Sequence, residues 1–144
     1  MASDQNLRWP RLTVREFMAP NAVTIHAESS LSQVARTLAE YDVSGLPVVD
    51  RGGAVIGVIS QTDIVRLRAG SMPTSDWHGL LVRDIMTHPA ITVSASASIH
   101  EAAMLMSEHH VHRLVVIADR DGGPIGLISA RDVVREIAAL TEEE

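Results

Sequence analysis

The chain contains no cysteine. Disulfide bonds, thiolate catalysis and cysteine-ligated zinc sites are therefore excluded. Aromatic residues are also scarce, at 3% of the 144 residues, although hydrophobic residues make up 46%. The core must therefore be built mainly from Val, Ile, Leu, Ala and Met. The length suits one compact domain, or two small units that share a core.

Positive charge is in short supply, with 12 Lys and Arg against 18 Asp and Glu and a formal net charge of -6. This balance argues against a nucleic-acid-binding protein, which typically presents a basic surface. It does not exclude a nucleotide, because a few arginines can hold one phosphate group. No hydrophobic run is long enough to span a bilayer, and the first ten residues do not resemble a signal peptide. We therefore expect a cytoplasmic protein without membrane insertion.

A long internal repeat is present instead. Residues 14–66 align with residues 82–135, with one inserted residue near Asp121. Roughly a third of the aligned positions are identical, which indicates a duplication. The Gly-, Ser- and Pro-bearing segment AGSMPTSDWHG between the copies is typical of a linker. The predicted boundaries are a tail over 1–12, a first repeat over 13–69, a linker over 70–81, a second repeat over 82–140 and a tail over 141–144.

Both repeats predict the same order of elements, β-α-β-β-α. In the first repeat, β-branched AVTI predicts a short strand, and a helix is expected from about Leu31 to Tyr41. The hydrophobic segments LPVVD and AVIGVIS predict two buried strands. The second repeat has AITV, RLVVIA and PIGLIS in the equivalent places. The predicted fold class is therefore α/β (α+β), with the two repeats packed about a pseudo-twofold axis.

A last helix is expected in each repeat, from Asp63 and from Asp132. In the first of these helices we expect Ile64 and Val65 to face inward. The equivalent residues Val133 and Val134 are expected to do the same in the second.

Four motifs carry a family resemblance: SGLPVVD and GVISQTDIV in the first repeat, and VHRLVVIA and GLISARDVV in the second. They resemble the CBS-domain family, and the tandem pair is similar to a Bateman module over about residues 13–140. The resemblance implies a non-catalytic regulatory module that binds an adenosine-containing ligand in clefts between the two CBS repeats. AMP, ADP, ATP and S-adenosylmethionine are the implied ligands. A homodimer is also implied, and an unknown effector protein is possible.

The resemblance further implies ligand-binding residues at equivalent places of the two repeats. Asp63 and Asp132 would bind the ribose hydroxyls, with Ser60 and Ser129 near the ribose or the phosphates. Residues of the first strand would meet the adenine, and these are Thr24, Ile25, Thr92 and Val93. The segment that enters the second strand would line the cleft, with Ser44, Leu46, Pro47, His112, Arg113 and Leu114. Thr62 and Arg131 each precede one of the two aspartates.

The two Ser-x-x-Asp pairs also have a purely structural explanation. A serine at the N-cap and an acid at N3 satisfy free amides and complement the helix dipole. The other predicted capping pairs use Gln or Glu at N3, as in Ser30 with Gln33 and Ser98 with Glu101. The shorter aspartate reaches the backbone less readily and could instead accept two vicinal hydroxyls. We favour ligand binding, and the two roles can coexist.

Basic residues of the second repeat indicate where a phosphate would bind. Arg113 opens a hydrophobic strand, where a charge needs a partner such as a phosphate. Arg131 lies beside the predicted ribose site, although it could equally be a solvated surface residue. The first repeat has Ser44, Gly45 and Thr62 instead of His112 and these arginines, so we expect unequal sites.

Three histidines, His109, His110 and His112, raise the question of a metal. His109 and His110 are expected to end a helix and His112 to enter a strand, so the side chains should splay apart. No carboxylate pattern accompanies them, and a metal is not expected. Helix C-terminal capping is the simpler explanation for His109 and His110, while the family resemblance implies that His112 lies close to phosphate.

An enzyme is not expected, because the sequence has no cysteine, no metal cluster and no convincing nucleophile–base pair. Two alternatives stay open. The chain could be a structural or scaffolding CBS pair with degenerate pockets, or a regulatory fragment of a larger enzyme or transporter.

Overall fold

The structure is a computed structural model, and it describes residues 12–20, 23–120 and 122–142. The predicted N-terminal tail up to residue 11, the insertion at Asp121 and residues 143–144 lie outside this range. In chain order the helices and strands are α1 (Val14–Phe17), β1 (Ala19–Pro20), β2 (Ile25–His26), α2 (Leu31–Tyr41), β3 (Gly45–Val49), β4 (Val55–Ser60), α3 (Gln61–Ala69), a 3-10 helix (Thr74–Gly79), α4 (Val82–Ile85), β5 (Thr92–Ser94), α5 (Ile99–His109), β6 (Arg113–Ile117), β7 (Pro124–Ser129) and α6 (Ala130–Glu142). In the described part of the chain, every helix is too short or too polar to cross a membrane.

The chain forms two compact units. Unit 1 comprises Met1–Asn21 with Ile91–Glu144, and unit 2 comprises Ala22–Ala90. In unit 2 the strands are ordered β2-β3-β4, with β2 parallel and β4 antiparallel to β3. Val34 and Leu38 of α2, four residues apart, pack on Leu46, Val48 and Ile59 of the sheet. This spacing places both helix side chains on one face, which explains why α2 forms against the sheet.

Unit 1 repeats this arrangement with one more strand. Its sheet has the order β1-β7-β6-β5, with β5 parallel to β6 and β7 antiparallel to it. Its core includes Val93 and Leu114 of the sheet and Ile99, Ala102 and Met106 of α5. The β-α-β-β-α order predicted for each repeat is confirmed, as β2-α2-β3-β4-α3 and β5-α5-β6-β7-α6.

The short helix that opens each sequence repeat packs outside its own repeat. Val14 lies in the core of unit 1, and its amide donates to Ala97 O at 2.8 Å. Val82 lies in the core of unit 2, and its amide donates to Ser29 O at 2.8 Å. Each unit therefore combines the body of one repeat with the first helix of the other. The sequence repeats and the compact units divide the chain differently, and the domain boundaries 13–69 and 82–140 stay predictions.

The last helix of each repeat differs from its prediction in two ways. α3 and α6 begin at Gln61 and Ala130 rather than at the aspartates. The prediction that Val65 and Val134 face inward is wrong, since they are 64% and 66% exposed. Their neighbours Ile64 and Val133 do pack against the cores. Adjacent helical residues point in different directions, so only one of each pair can face the core.

Candidate functional site

The first turns of α3 and α6 each hold an aspartate in the same hydrogen-bond network. In unit 2, Asp63 Oδ2 accepts from Ser60 N at 2.8 Å and from Ser60 Oγ at 3.1 Å. In unit 1, Asp132 Oδ2 accepts from Ser129 N at 2.8 Å and from Ser129 Oγ at 3.0 Å. Both aspartates are buried, at 8% and 9% exposure. The structural explanation of the two Ser-x-x-Asp pairs is therefore confirmed: each serine and aspartate form a reciprocal capping pair at the helix start.

The other carboxylate oxygen distinguishes the two aspartates. Asp63 Oδ1 accepts from Thr87 Oγ1 at 3.2 Å. Asp132 Oδ1 accepts from Arg135 Nη1 at 3.0 Å, which makes an ion pair. Ala19 is the sequence equivalent of Thr87 and has no hydroxyl to donate. A neutral donor therefore holds one carboxylate and a cation holds the other.

Sequence reasoning missed both of these donors. Arg135 follows Asp132 at helical i+3 spacing, and that signal could have identified it. Thr87 had no comparable signal, because it belongs to the other sequence repeat and reaches Asp63 only through the fold.

Backbone pairing brings the start of β6 beside the start of α6. Arg113 pairs with Ser129, and Ala130 N donates to His112 O at 2.8 Å. In unit 2 the first amide of α3 donates to Ser44 O at 2.9 Å in the same way. The structure therefore places the predicted residues His112 and Arg113 next to the helix start that carries Asp132.

The predicted ligand-binding residues differ in their exposure. Those whose surface is open to solvent are Ser44, Thr62, Thr92, His112 and Arg131, and those half-buried are Thr24, Arg113 and Ser129. The hydrophobic members are all buried, and they are Ile25, Leu46, Pro47, Val93 and Leu114. Except for Pro47, these belong to the two hydrophobic cores. Their side chains stabilise the fold, which leaves their backbone atoms as the groups that could face a ligand.

Arg113 is the electrostatic feature that stands out. Its Nε is buried and has no hydrogen-bond partner among the residues that the structure describes. A buried donor without a partner costs about 1–3 kcal/mol, and more when it is charged. Over the same residues, Arg113 and Arg131 form no ion pair with a carboxylate. The start of α6 therefore offers two arginines that an anion could engage.

A second carboxylate lies one turn further along α6. Glu136 is 8% exposed, and burial raises its pKa above the ordinary glutamate value. The first repeat has Leu67 at the equivalent position. The two helix starts thus differ in charge beyond their aspartates.

The histidines flank a change of chain direction, as expected. His109 is the last residue of α5, and His110 is its C-cap in the left-handed region, with φ 54°. His112 follows, exposed, before β6. Across the described ranges, no three His, Asp or Glu side chains are grouped so that they could hold a metal ion. The expectation that the protein needs no metal stays a prediction.

Comparison with known proteins settles the family. A family model of the CBS domain matches residues 14–70 and again residues 82–139. The chain belongs to the CBS-domain family. It carries two CBS repeats in tandem.

Two curated relatives illustrate the range of proteins that share this pair. Inosine-5'-monophosphate dehydrogenase of Korarchaeum cryptofilum is 32% identical over 117 residues, which are 81% of this chain and 22% of that enzyme. The chloroplast protein CBSX2 of Arabidopsis thaliana is 30% identical over an alignment of 157 residues, which covers 91% of this chain and 66% of CBSX2. This chain therefore spans about a fifth of the dehydrogenase and about two thirds of CBSX2.

Two solved structures match nearly the whole chain. A crystal structure of CBSX2 in complex with AMP has a TM-score of 0.70 at 31% identity, and covers 92% of this chain and 99% of that one. The CBS domain of a bacterial CNNM/CorC family Mg²⁺ transporter in complex with ATP has a TM-score of 0.74 at 26% identity, and covers 95% and 93%. Both have the fold of a CBS pair.

Proposed function

We propose that this CBS pair is a non-catalytic regulatory module that binds an adenosine-containing ligand, such as AMP, ADP, ATP or S-adenosylmethionine. The observation that carries the proposal is the buried Nε of Arg113, without a partner among the described residues, beside the helix start that holds Asp132. A phosphate is well suited to an arginine of this kind. The similar proteins CBSX2 and the CNNM/CorC transporter domain hold AMP and ATP, which supports this ligand class.

In unit 1 the ribose would bind at Asp132 and the phosphate at the basic residues. Asp132 Oδ1 already accepts from Arg135, so a ribose hydroxyl must share or replace that bond. The Arg135 side chain is 61% exposed. The Asp132 side chain is only 13% exposed. Solvent can hydrate the guanidinium when the bond opens, whereas the buried carboxylate then needs the ribose hydroxyl as its new donor. Arg131, Arg113 and His112 would then supply donors for the phosphate.

In unit 2 the same site would bind more weakly. Asp63 Oδ1 is held by Thr87 rather than by an exposed arginine. Ser44 and Thr62 stand where unit 1 has His112 and Arg131, so the basic side chains are missing. We therefore propose two unequal sites, with the stronger in the second repeat.

Calorimetric titration of AMP and ATP into Asp132→Ala and Asp63→Ala tests this assignment. Asp132→Ala is expected to weaken binding by about 1.5–3 kcal/mol, the range for a hydrogen bond to a charged group. Asp63→Ala is expected to weaken it less. Because both substitutions also remove a helix cap, circular dichroism must first show that each variant is folded. Equal losses of affinity in the two variants would contradict the proposal that the two sites are unequal. Unchanged affinity in both variants would contradict the assignment of the aspartates to the ribose.

A thermal-shift screen distinguishes a ligand sensor from a scaffolding pair with degenerate pockets. AMP, ADP, ATP and S-adenosylmethionine are the ligands to compare. At 100 times its Kd, a ligand that binds only the folded state adds about 2.7 kcal/mol of stability. No shift with any of these ligands would favour the scaffolding alternative.

We further infer that the chain forms a homodimer and transmits ligand binding to an effector. Several large hydrophobic side chains on its helices are between 48% and 66% exposed, and these are Tyr41, Val65, Met104, Val134 and Ile137. Val134 and Ile137 are spaced i and i+3 and so share one face of α6. An exposed hydrophobic face favours association, and twofold closure is its commonest form. The effector could be a separate protein or another domain, since the related dehydrogenase is far longer than this chain.

A further inference from the structure

Unit 2 contains a groove that none of the ligand-binding residues proposed above lines. Its volume is about 640 Å³. It lies between the start of α2, the α3 helix and the 3-10 helix Thr74–Gly79. The 3-10 helix falls within the segment that the sequence predicted to be a linker. Leu31, Ala35, Ile64 and Leu67 form its apolar wall. Small-molecule pockets typically have volumes of about 300–1,000 Å³ and are mostly apolar, with a few polar groups.

Trp77, a residue of the groove wall, carries an unused hydrogen-bond donor. It lines the groove, and its indole Nε1 is buried with no hydrogen-bond partner in the described part of the chain. The indole nitrogen can only donate. Leaving it unpaired costs about 1–3 kcal/mol, which a ligand with an acceptor would recover.

Arg68 adds a positive charge at the same place. It lines the groove, and within the described ranges it forms no ion pair. Ile64, Leu67 and Arg68 are spaced i, i+3 and i+4, so they share one face of α3. Arg66 belongs to another face and does not line the groove.

The second repeat does not reproduce these features. Glu136 stands at the position of Leu67, and Ile137 stands at the position of Arg68. The buried acid would repel an anion, and the cation is missing. The combination of apolar wall, indole donor and guanidinium therefore belongs to unit 2.

We propose that this groove binds an apolar organic carboxylate. Its hydrocarbon body would pack on Leu31, Ile64 and Leu67, and its carboxylate would accept from Arg68 and from Trp77 Nε1. This site is separate from the adenosine site, and the two are tested by different variants.

Tryptophan fluorescence tests the proposal directly. The chain has two tryptophans, and the other, Trp9, lies outside the described residues. In a Trp9→Phe background Trp77 is the only tryptophan, and its emission is expected to change saturably with octanoate below the micellar range. Octanol is the neutral probe of matched length. Arg68→Gln is expected to weaken octanoate binding about tenfold or more, the effect of one lost charge-assisted hydrogen bond, and to leave octanol binding unchanged.

Arg66→Gln is the matched control, because it removes the same charge from α3 outside the groove. It is expected to leave both titrations unchanged. Equal weakening by Arg66→Gln and Arg68→Gln, equal affinity for octanoate and octanol, or no saturable signal would each overturn the proposal. Asp132→Ala is expected to retain the octanoate response, which separates this result from failure of the adenosine site.

Sedimentation velocity tests whether a second copy of the chain occupies the groove instead. Ala35→Leu narrows the groove and is expected to weaken octanoate binding without changing the oligomeric state. If Ala35→Leu instead dissociates an oligomer and octanoate has no effect on the parent protein, the groove is an interface between copies and the proposal is wrong.

Discussion

Gly57 of β4 lies against Met86 and Thr87, the two residues that follow α4. A Cβ at this position would lie 2.7 Å from Met86 Sδ and 2.8 Å from Thr87 O. The sulfur can move, but the carbonyl is held, since Val58 N donates to Thr87 O at 2.9 Å and Thr87 N donates to Val58 O at 2.8 Å. Gly57→Ala must therefore displace backbone, and overpacking of this kind costs about 2 kcal/mol. For a chain of this length that corresponds to a fall in Tm of about 6 °C.

Differential scanning calorimetry of Gly57→Ala measures this effect, with Gly79→Ala as the matched control. A Cβ on Gly79 would meet nothing within 4 Å. Gly79→Ala is therefore expected to change the free energy of unfolding by no more than about 0.5 kcal/mol, with a correspondingly small change in Tm. The displaced Thr87 also donates to Asp63 Oδ1, so Gly57→Ala should change ligand affinity at Asp63 and not at Asp132. Equal Tm values for the two variants would refute the close approach of β4 and residue 87.

Two further predictions concern α6. Burial raises the pKa of Glu136, so its carboxyl group stays protonated to higher pH in the folded state than in the unfolded chain. The free energy of unfolding therefore falls as pH rises through the folded pKa. Glu136→Gln is therefore expected to raise Tm at pH 8 and to leave it unchanged well below pH 4.5, whereas an equal rise at both pH values would contradict the burial of an ionised acid. Val134 is 66% exposed, so Val134→Lys should preserve the fold and convert the proposed homodimer to monomers in light scattering at micromolar concentration. A monomeric parent protein would refute the homodimer.

The local elements could be predicted from the sequence because their signals are local. α2 occupies Leu31–Tyr41 as predicted, since Ser30 Oγ accepts from Gln33 N at 3.1 Å and Ser30 N donates to Gln33 Oε1 at 2.8 Å. β7 occupies the predicted PIGLIS segment. Hydrophobic periodicity and N-terminal caps fix such elements within a few residues of themselves.

The donors at the aspartates depend on contacts that no local pattern encodes. Thr87 reaches Asp63 because α4 and the residues after it pack on the body of the other repeat. Trp77 lines a groove although it falls in a segment whose composition is typical of a flexible linker. The exposure of Val65 and Val134 was also unpredictable, because a hydrophobic pair at adjacent helical positions does not say which member faces the core.

Comparison of the two repeats shows which of their differences matter for folding. At one exposed position Glu28 accepts from Arg51 Nη2 at 2.9 Å, which lowers the pKa of Glu28. In the other repeat Asp119 stands at the position of Arg51, and hydrogen bonds from Ser94 and Ser96 lower its pKa. The sign of the charge is reversed and the fold is kept, as expected for exposed pairs that contribute little stability.

The same reasoning applies to the starts of α3 and α6. Thr62 and Arg131 are exposed equivalents, as are Ser44 and His112, so the fold does not require a basic side chain at either place. Arg113 is a different case, because its buried Nε has no partner among the described residues and so lowers stability where it stands. Arg113 lowers stability and lies beside His112 and Arg131, two basic side chains that the fold does not require. Ligand binding therefore explains its presence better than folding does. Arg113→Gly introduces the residue found at position 45. It is therefore expected to reduce the free energy of AMP and ATP binding by more than it reduces the free energy of unfolding, and a larger loss of unfolding free energy than of binding free energy would remove the anion assignment.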